Sequence, residues 1–245
     1  MVLEPGGRTL LVTNNDSGQL EAVGVADLAR ALTSGSLARA ATLPGVEIST
    51  GSGPALAELD EPDRPEFLMV LTHGAGGGVD SPDLLAAAKA AGSLGGAVAR
   101  VLQPYRVRGA RVPGSPDRQD EAWLEVIEAL RRRYPGIPLV QGGRSNGARV
   151  ACRTAGAAGA RAVVALAFPL HPPGRPERSR AAELRLADPV LVVNGDRDPF
   201  GVPDGADASR VVVLPGETHA LSRHPQEVRV AVESWLREVL RPADG

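Results

Sequence analysis

The sequence predicts an α/β fold with a mainly parallel sheet and helices on both of its faces. From Phe67 onward, short apolar runs that are typical of buried strands alternate with longer segments of helical periodicity. Such alternation is typical of βαβ units, whose strands pair in parallel. The 245 residues, of which 43% are hydrophobic, suffice for one large domain and exclude a disordered chain. Ligands of such sheets bind at the carboxyl ends of the strands, so a functional site is expected there.

The predicted strands begin with two leading segments at residues 46–50 and 55–58. Phe67–Thr72 (FLMVLT) is apolar throughout, as expected of a parallel strand that is buried on both faces. Similar apolar runs predict the remaining strands, at residues 97–102, 138–141, 162–168, 190–194 and 210–214.

The predicted helices fall between these strands. Residues 84–91 are rich in Ala and Leu, and residues 146–155 read as a helix of small side chains. Ser115 before Pro116 has the arrangement of a helix start, and apolar residues follow it at helical spacing. The last helix has one apolar face, formed by Val228, Ala231, Val232, Trp235, Leu236 and Val239.

The first 45 residues have a different pattern. Thr9–Thr13, the turn-rich residues 14–18 and residues 19–25 read as a β-hairpin, and residues 26–32 look helical. We therefore predict an N-terminal extension at residues 1–45, to which no role is assigned, and a main domain at residues 46–241.

Composition excludes several partners and sites. A net charge of −2 and a pI near 6.1 argue against nucleic acid or an acidic membrane surface as a partner. The single cysteine, Cys152, cannot form an internal disulfide and is expected to be a small core residue. Neither a signal peptide nor an apolar run long enough to span a membrane is evident, so a cytoplasmic location is expected. The oligomeric state stays open.

The most informative motif is G-x-S-x-G at residues 143–147 (GRSNG). It follows an apolar strand and opens a helix, which is the context of a nucleophile elbow. Ser145 would lie in a sharp turn, and the residues two positions before and after it must have very small side chains or none. The backbone N–H of Asn146 would point to where an oxyanion forms. Because the chain has 29 glycines, a glycine-rich packing turn is the alternative.

A second glycine-rich loop, residues 73–78 (HGAGGG), follows the strand Phe67–Thr72. A backbone N–H there, that of Ala75, would complete an oxyanion hole with Asn146. The alternative is a phosphate-binding loop. It fits poorly, because Val79 stands where a dinucleotide fingerprint needs its third glycine and no G-K-[ST] follows.

Two more segments supply an acid and a base. Asp198 follows the strand at 190–194 and is the preferred acid, while Asp196 is the alternative, with turn capping as its structural role. His219 lies between the last strand and the last helix. The order Ser145, Asp198, His219 is that of nucleophile, acid and base in α/β-hydrolases. His224, next to Pro225, is better read as a helix-end residue.

These motifs together resemble the α/β-hydrolase superfamily, and within it the dienelactone-hydrolase-like branch of predicted bacterial hydrolases. The resemblance runs from about Val46 to Leu240 and keeps its order. It is carried by residues 71–77 (LTHGAGG), 103–106 (QPYR), 142–149 (GGRSNGAR) and 169–176 (PLHPPGRP). Two departures, Asn146 for Met or Gly and Ala148 for Gly, would reshape the pocket floor without removing the backbone donor.

The resemblance implies an α/β-hydrolase fold and a serine hydrolase that cleaves a small ester, thioester or lactone. Neither cofactor nor metal is needed, and the expected partner is a small-molecule substrate. A serine in the nucleophile position disfavours the carboxylate chemistry of dehalogenases and epoxide hydrolases. A non-catalytic interaction protein that kept the fold is the alternative from another class, and a nucleotide binder is a third reading.

Four side chains near the predicted strand ends are candidates for substrate contact: His73, Tyr105, Arg106 and His171. A structural role is an equally good reading for each of them; Arg106 could pair with an acid, and His171 could stiffen the proline-rich loop. Residues 169–189 alone separate two predicted strands, so a large lid domain cannot fit and the pocket should be open.

Overall fold

A computed structural model of the chain describes three strands before residue 25 and then residues 45–241. The chain divides into two compact units, Met1–Pro44 and Gly45–Gly245. In the first unit, β1 (Val2–Leu3), β2 (Thr9–Thr13) and β3 (Leu20–Gly24) form an antiparallel sheet in that order. The predicted hairpin corresponds to the pair β2–β3, whereas the helix predicted at 26–32 lies outside the described residues.

The second unit contains an eight-stranded sheet. Its strands are β4 (Val46–Ile48), β5 (Ala55–Asp60), β6 (Phe67–Thr72), β7 (Gly96–Leu102), β8 (Leu139–Arg144), β9 (Ala162–Leu166), β10 (Val190–Gly195) and β11 (Arg210–Leu214). Their order is β11-β10-β9-β8-β6-β7-β5-β4. Only β5 runs against its neighbours β4 and β7, and every other pair is parallel. The predicted fold class is therefore confirmed.

Helices cover both faces of this sheet. They are α1 (Pro82–Ser93), α2 (Pro104–Val107), α3 (Pro116–Arg133), α4 (Asn146–Ala158), α5 (Ala181–Leu184) and α6 (Pro225–Val239). Helices α1 and α6 bury their apolar sides on one face, and α3 and α4 bury theirs on the other. Both α3 and α6 begin with proline, whose missing N–H costs nothing in the first turn.

A buried polar bridge fixes the middle of β8 against the helices. The indole N–H of Trp123 on α3 donates to Gln141 Oε1 at 2.8 Å, and the amide of Gln141 donates to the Ala151 carbonyl on α4 at the same distance. Both side chains are buried, and buried polar groups are costly unless they are paired. The bridge therefore sets the position from which the strand enters the next turn.

The structure differs from the sequence prediction in the bounds of several elements and in two short helices. Strand β8 continues to Arg144 instead of ending at Gln141. Its glycines allow a close approach to β9, because a Cβ on Gly142 would lie 2.5 Å from the Val164 carbonyl oxygen. Strand β9 ends at Leu166, not at Phe168. The four-residue helices α2 and α5 were not predicted, since one turn is too short for a periodic pattern.

The segment between β9 and β10 holds only α5, and no lid domain is present within residues 45–241. In the part of the chain that the structure describes, none of the helices has both the length and the apolar character needed to cross a membrane.

Candidate active site

The turn between β8 and α4 places Ser145 in a strained conformation. Its φ of 54° and ψ of −113° lie outside the regions that side-chain-bearing residues favour. A Cβ on Gly143 would lie 2.6 Å from the carbonyl carbon of Gly147. A Cβ on Gly147 would lie 2.7 Å from the carbonyl oxygens of Thr72 and His73. The turn therefore needs glycine on both sides of the serine.

His219 connects this serine to a buried carboxylate. Its Nε2 lies 2.9 Å from Ser145 Oγ, and its Nδ1 lies 2.8 Å from Asp198 Oδ2. The carboxylate can only accept, so Nδ1 carries the proton and Nε2 is left to accept from the serine hydroxyl. These three side chains, from the ends of β8, β10 and β11, form one hydrogen-bonded chain.

The two candidate carboxylates have different places. Asp198 is 7% exposed, and its other oxygen accepts from the Phe200 N–H at 2.9 Å. Asp196 is exposed, and its carboxylate accepts the Gly216 N–H at 2.7 Å, which is a turn contact. Asp198 therefore faces the imidazole, and Asp196 has the capping position that was the alternative for it.

Glu217 anchors the loop that carries His219. This fully buried side chain accepts the N–H groups of Arg223 and His224 at 2.6 and 2.7 Å. The Arg197 N–H donates to its carbonyl at 2.9 Å. His224 is the residue that precedes the first turn of α6, as expected for a helix end.

His73 is fully buried at the start of the glycine-rich loop, and it does not face solvent. The Gln103 N–H donates to its Nε2 at 3.0 Å, so its Nδ1–H donates to the Gly74 carbonyl at 2.8 Å. Burial lowers the pKa of His73 to about 4, which keeps the ring neutral. Its contacts are those of a structural strut, and none of them leaves a ring nitrogen for substrate.

Tyr105 and Arg106 hold the carbonyl groups of the same loop. The Tyr105 hydroxyl donates to the Ala75 carbonyl at 2.9 Å, and Arg106 Nε donates to the Gly77 carbonyl at 2.9 Å. Burial raises the pKa of Tyr105 to about 12, so its hydroxyl stays a donor. Arg106 bonds to backbone carbonyls and not to the acidic side chain considered for it.

The loop itself runs beside the nucleophile turn. A Cβ on Gly74 would lie 3.3 Å from the Cβ of Ser145. The backbone N–H groups of Ala75 and Asn146 donate to no protein group among residues 45–241. Both amides are thus available to donate to a ligand, and that of Asn146 follows the serine directly and opens α4, where the helix dipole favours negative charge.

His171 contacts the loop that carries Asp198 and Phe200. Its backbone N–H donates to the Phe200 carbonyl at 2.9 Å, and its Nδ1 lies 2.9 Å from the Pro172 carbonyl oxygen. A Cβ on Gly201 would clash with its Nε2, so the ring packs on that glycine. The structure thus places His171 in support of the segment that carries Phe200.

An open cavity of about 600 Å³ lies beside α2 and α3, and none of Ser145, Asp198 or His219 lines it. Tyr105 and Gln119 form part of its wall, and Gln119 Oε1 accepts from the Asn146 side-chain amide at 2.7 Å. The rest of the wall is mostly polar and includes Ser52, Gln103, Arg108, Arg118, Glu121 and Glu125.

Sequence reasoning did not single out Arg144, Asn194 or Phe200. Asn194 is fully buried at the end of an apolar strand; its amide oxygen accepts the Phe168 N–H at 2.9 Å, and its nitrogen lies 3.4 Å from Asp198. A polar residue that ends an apolar run was a usable signal for it. No local pattern marks Phe200, because its contact with His219 is made across two loops.

Two further observations concern metal ligands and the single thiol. Among residues 45–241, no three His, Cys, Asp or Glu side chains cluster closely enough to hold a metal ion. Cys152 is fully buried on α4, and burial raises the pKa of its thiol, as expected for an inert core residue.

Comparison with known proteins places the chain in a family. A family model described as an alpha/beta hydrolase domain matches residues 65–221. A search of the curated proteins found no match.

Solved structures share the fold over most of the chain. An α/β serine hydrolase without lid from Xanthomonas campestris is 24% identical, with a TM-score of 0.64, and the match covers 81% of this chain and 95% of that one. Est1E from Butyrivibrio proteoclasticus is 19% identical, with a TM-score of 0.64 and coverage of 81% and 99%. A dienelactone hydrolase from Anabaena variabilis is 19% identical, with a TM-score of 0.63 and coverage of 80% and 97%. Because the family model spans more than half of the sequence, the chain belongs to the alpha/beta hydrolase domain family.

Proposed function

We propose that the protein is a serine hydrolase that cleaves a small ester, thioester or lactone through an acyl-enzyme intermediate. The observation that carries the proposal is the unbroken hydrogen-bonded chain from Ser145 Oγ through His219 to Asp198. In that arrangement the imidazole can take the serine proton, and the buried carboxylate stabilises the resulting cation.

In the acylation step, Ser145 Oγ bonds to the carbonyl carbon of the substrate while its proton passes to His219 Nε2. The carbonyl oxygen becomes an oxyanion, which accepts from the N–H groups of Ala75 and Asn146. Collapse of this intermediate breaks the bond from the acyl carbon to the alcohol or thiol. The leaving group departs with the proton that His219 held.

In the deacylation step, water attacks the acyl carbon and passes a proton to His219. The second intermediate breaks its bond to Ser145 Oγ, which takes that proton back and releases a carboxylic acid. With a lactone, the acid and the alcohol leave as one hydroxy acid.

The polar cavity lined by Gln119, whose side chain bonds to Asn146, favours a small or polar substrate. Its wall carries Arg108, Arg118, Glu121 and Glu125, and no lid domain within residues 45–241 would cover a long alkyl chain. Among the structural neighbours, Est1E has been solved with ferulic acid bound, so esters of small aromatic acids are included as candidates.

The decisive experiment is labelling with a fluorophosphonate probe, which phosphonylates an activated serine. We expect the wild-type protein to be labelled and to hydrolyse p-nitrophenyl acetate, and Ser145→Ala to do neither. If folded wild-type protein is not labelled and its turnover does not exceed that of Ser145→Ala, the non-catalytic alternative holds instead.

A series of p-nitrophenyl esters tests the substrate class. We expect kcat/KM to be higher for acetate and butyrate than for octanoate. A steady rise of kcat/KM with chain length would contradict a polar pocket.

A further inference from the structure

Arg144, the residue just before the nucleophile, connects two loops that lie far apart in the sheet. It ends β8, and its guanidinium NH2 donates to the backbone carbonyl of His219 at 2.7 Å. Strands β8 and β11 are separated by β9 and β10, a distance of about 14 Å at ordinary strand spacing. The loop that follows β11 must therefore reach back over β10 and β9 to bring the His219 carbonyl to Arg144.

Asp83 holds the guanidinium from the other side. Its Oδ2 lies 3.0 Å from Arg144 Nε, in an ion pair whose hydrogen-bond angle is poor. Its Oδ1 accepts from Ser81 Oγ at 2.6 Å and from the Leu84 N–H at 2.9 Å, which fixes the carboxylate in the first turn of α1. The Asp83 side chain is fully buried and that of Arg144 is 19% exposed, so both are shielded from competing water.

The same guanidinium also lies against the glycine-rich loop. A Cβ on Gly74 would be 3.2 Å from Arg144 Nη1. One side chain thus contacts the loop that follows β6 and the loop that follows β11, and it is covalently next to Ser145. These are three of the four segments on which the proposed reaction depends, and the fourth carries Asp198.

We propose that Arg144, anchored by Asp83, is a positioning residue that holds the His219 backbone at the distance its imidazole needs to reach Ser145. This inference rests on the proposed function. Glu217 ties the same loop to the N–H groups of Arg223 and His224 and does not contact the His219 carbonyl. The bond from Arg144 acts on the carbonyl of the histidine itself, so its loss lets the ring drift from the serine.

The main test compares Arg144→Met with Arg153→Met. Arg153 is a matched control, because its side chain is 12% exposed and is paired with Asp120 and Glu183 on the far side of α4. We expect Arg144→Met to lower kcat about 10- to 100-fold with little change in KM, since a misplacement of about 1 Å can cost 10²-fold. Arg153→Met should keep the wild-type kcat, and equal kcat values for the two variants would overturn the inference.

A loss of stability must be separated from a loss of position, because Arg144→Met leaves Asp83 buried without its cation. The double variant Asp83→Asn/Arg144→Met removes that uncompensated charge. We expect its unfolding midpoint to return toward wild type while kcat stays low. Recovery of kcat together with the midpoint would show that Arg144 has a purely structural role.

Two further measurements show whether Arg144 acts through His219. Millimolar guanidinium chloride should restore part of kcat in Arg144→Ala, and sodium chloride at equal concentration should not. In a His219→Ala background, loss of Arg144 should leave the residual rate unchanged. A further drop in that background would mean that Arg144 acts elsewhere.

A readout without turnover keeps this inference distinct from the proposed function. In ¹⁵N-histidine-labelled protein, the His219 Nδ1–H resonance, assigned with His219→Ala, reports the bond to Asp198. We expect Arg144→Met to shift or broaden it and Arg153→Met to leave it in place. An unchanged resonance in Arg144→Met would refute the positioning role even if the wild type proved inactive toward every ester.

Discussion

The ring of Phe200 lies on the imidazole of His219, with centroids 4.3 Å apart and planes inclined by 35°. Both backbone groups of Phe200 are tied as well: its N–H donates to Asp198, and its carbonyl accepts from the N–H of His171. One face of the imidazole is therefore covered by a residue that is itself held in place. The contact limits rotation of the ring about the bond to Asp198.

Removal of this ring should weaken the proposed base. An aromatic pair contributes about 0.5–1.5 kcal/mol beyond its buried area, which corresponds to about 2- to 10-fold in rate if this stabilisation is gained by the imidazolium of the transition state and not by the neutral ring. We expect Phe200→Ala to lower kcat by that factor and Phe200→Tyr to stay near wild type. Steady-state kinetics with p-nitrophenyl acetate measure both, and an unaffected Ala variant would show that the stacking is incidental.

Replacement of the two loop carboxylates should have unequal effects. Asp198 receives the imidazole N–H, so Asp198→Asn presents the wrong tautomer of His219 to the serine and should reduce kcat about 10⁴-fold. Asp196→Asn loses only a turn contact and should keep most of the activity. A larger loss of kcat in Asp196→Asn would reverse the assignment.

Two glycines of α4 should respond in opposite ways to alanine. A Cβ on Gly147 would lie 2.7 Å from two backbone oxygens, so Gly147→Ala should destabilise the fold by about 1–3 kcal/mol and reduce activity. Nothing lies within 4 Å of a Cβ on Gly156. Gly156→Ala should therefore stabilise the helix by about 0.5–1 kcal/mol. Urea unfolding gives both values, and similar midpoints for the two variants would contradict the steric argument.

Burial of His73 predicts a specific pH dependence of stability. Its pKa falls from 6.5 to about 4 in the folded state, so the unfolded chain binds a proton more readily below pH 6.5. The free energy of unfolding is unaffected by this titration above pH 6.5. It decreases as the pH falls toward 4, by about 3 kcal/mol in total. The free energy of unfolding, measured from pH 7 to pH 4, should show this loss.

The control for that measurement is His73→Gln, which cannot titrate. Its free energy of unfolding should be lower at pH 7, because the buried contacts are disturbed, but it should change less between pH 7 and pH 4. If wild type and variant lose the same free energy over this range, His73 is not the group that titrates.

The N-terminal segment should be dispensable. Residues 45–241 contain every group of the proposed mechanism, and Gly45–Gly245 forms a compact unit by itself. We expect the chain without residues 1–44 to fold and to keep its kcat/KM. Loss of folding on deletion, detected by circular dichroism, would show that the segment is part of the domain and not an extension.

The elements of the main sheet could be predicted from the sequence because their signals are local. Phe67–Thr72 and Arg210–Leu214 have the predicted bounds, since a continuous apolar run between turn residues has few other conformations open to it. The turn around Ser145 was equally readable, because its steric demand falls on glycines only two residues away. Helices as short as α2 could not be predicted, because a single turn is too short to show a helical periodicity of apolar residues.

By itself, the sequence determined the order of strands and helices, the sharp turn at Ser145, and the small set of candidates for acid–base chemistry. Only the tertiary structure decided which aspartate meets the imidazole, and that His73 and Tyr105 support a loop. It alone joined Arg144 to the His219 carbonyl. The physical reason is range: helix and strand signals act over a few residues, whereas these contacts join residues from 21 to 75 positions apart. Such pairs meet only after the sheet has brought its strand ends together.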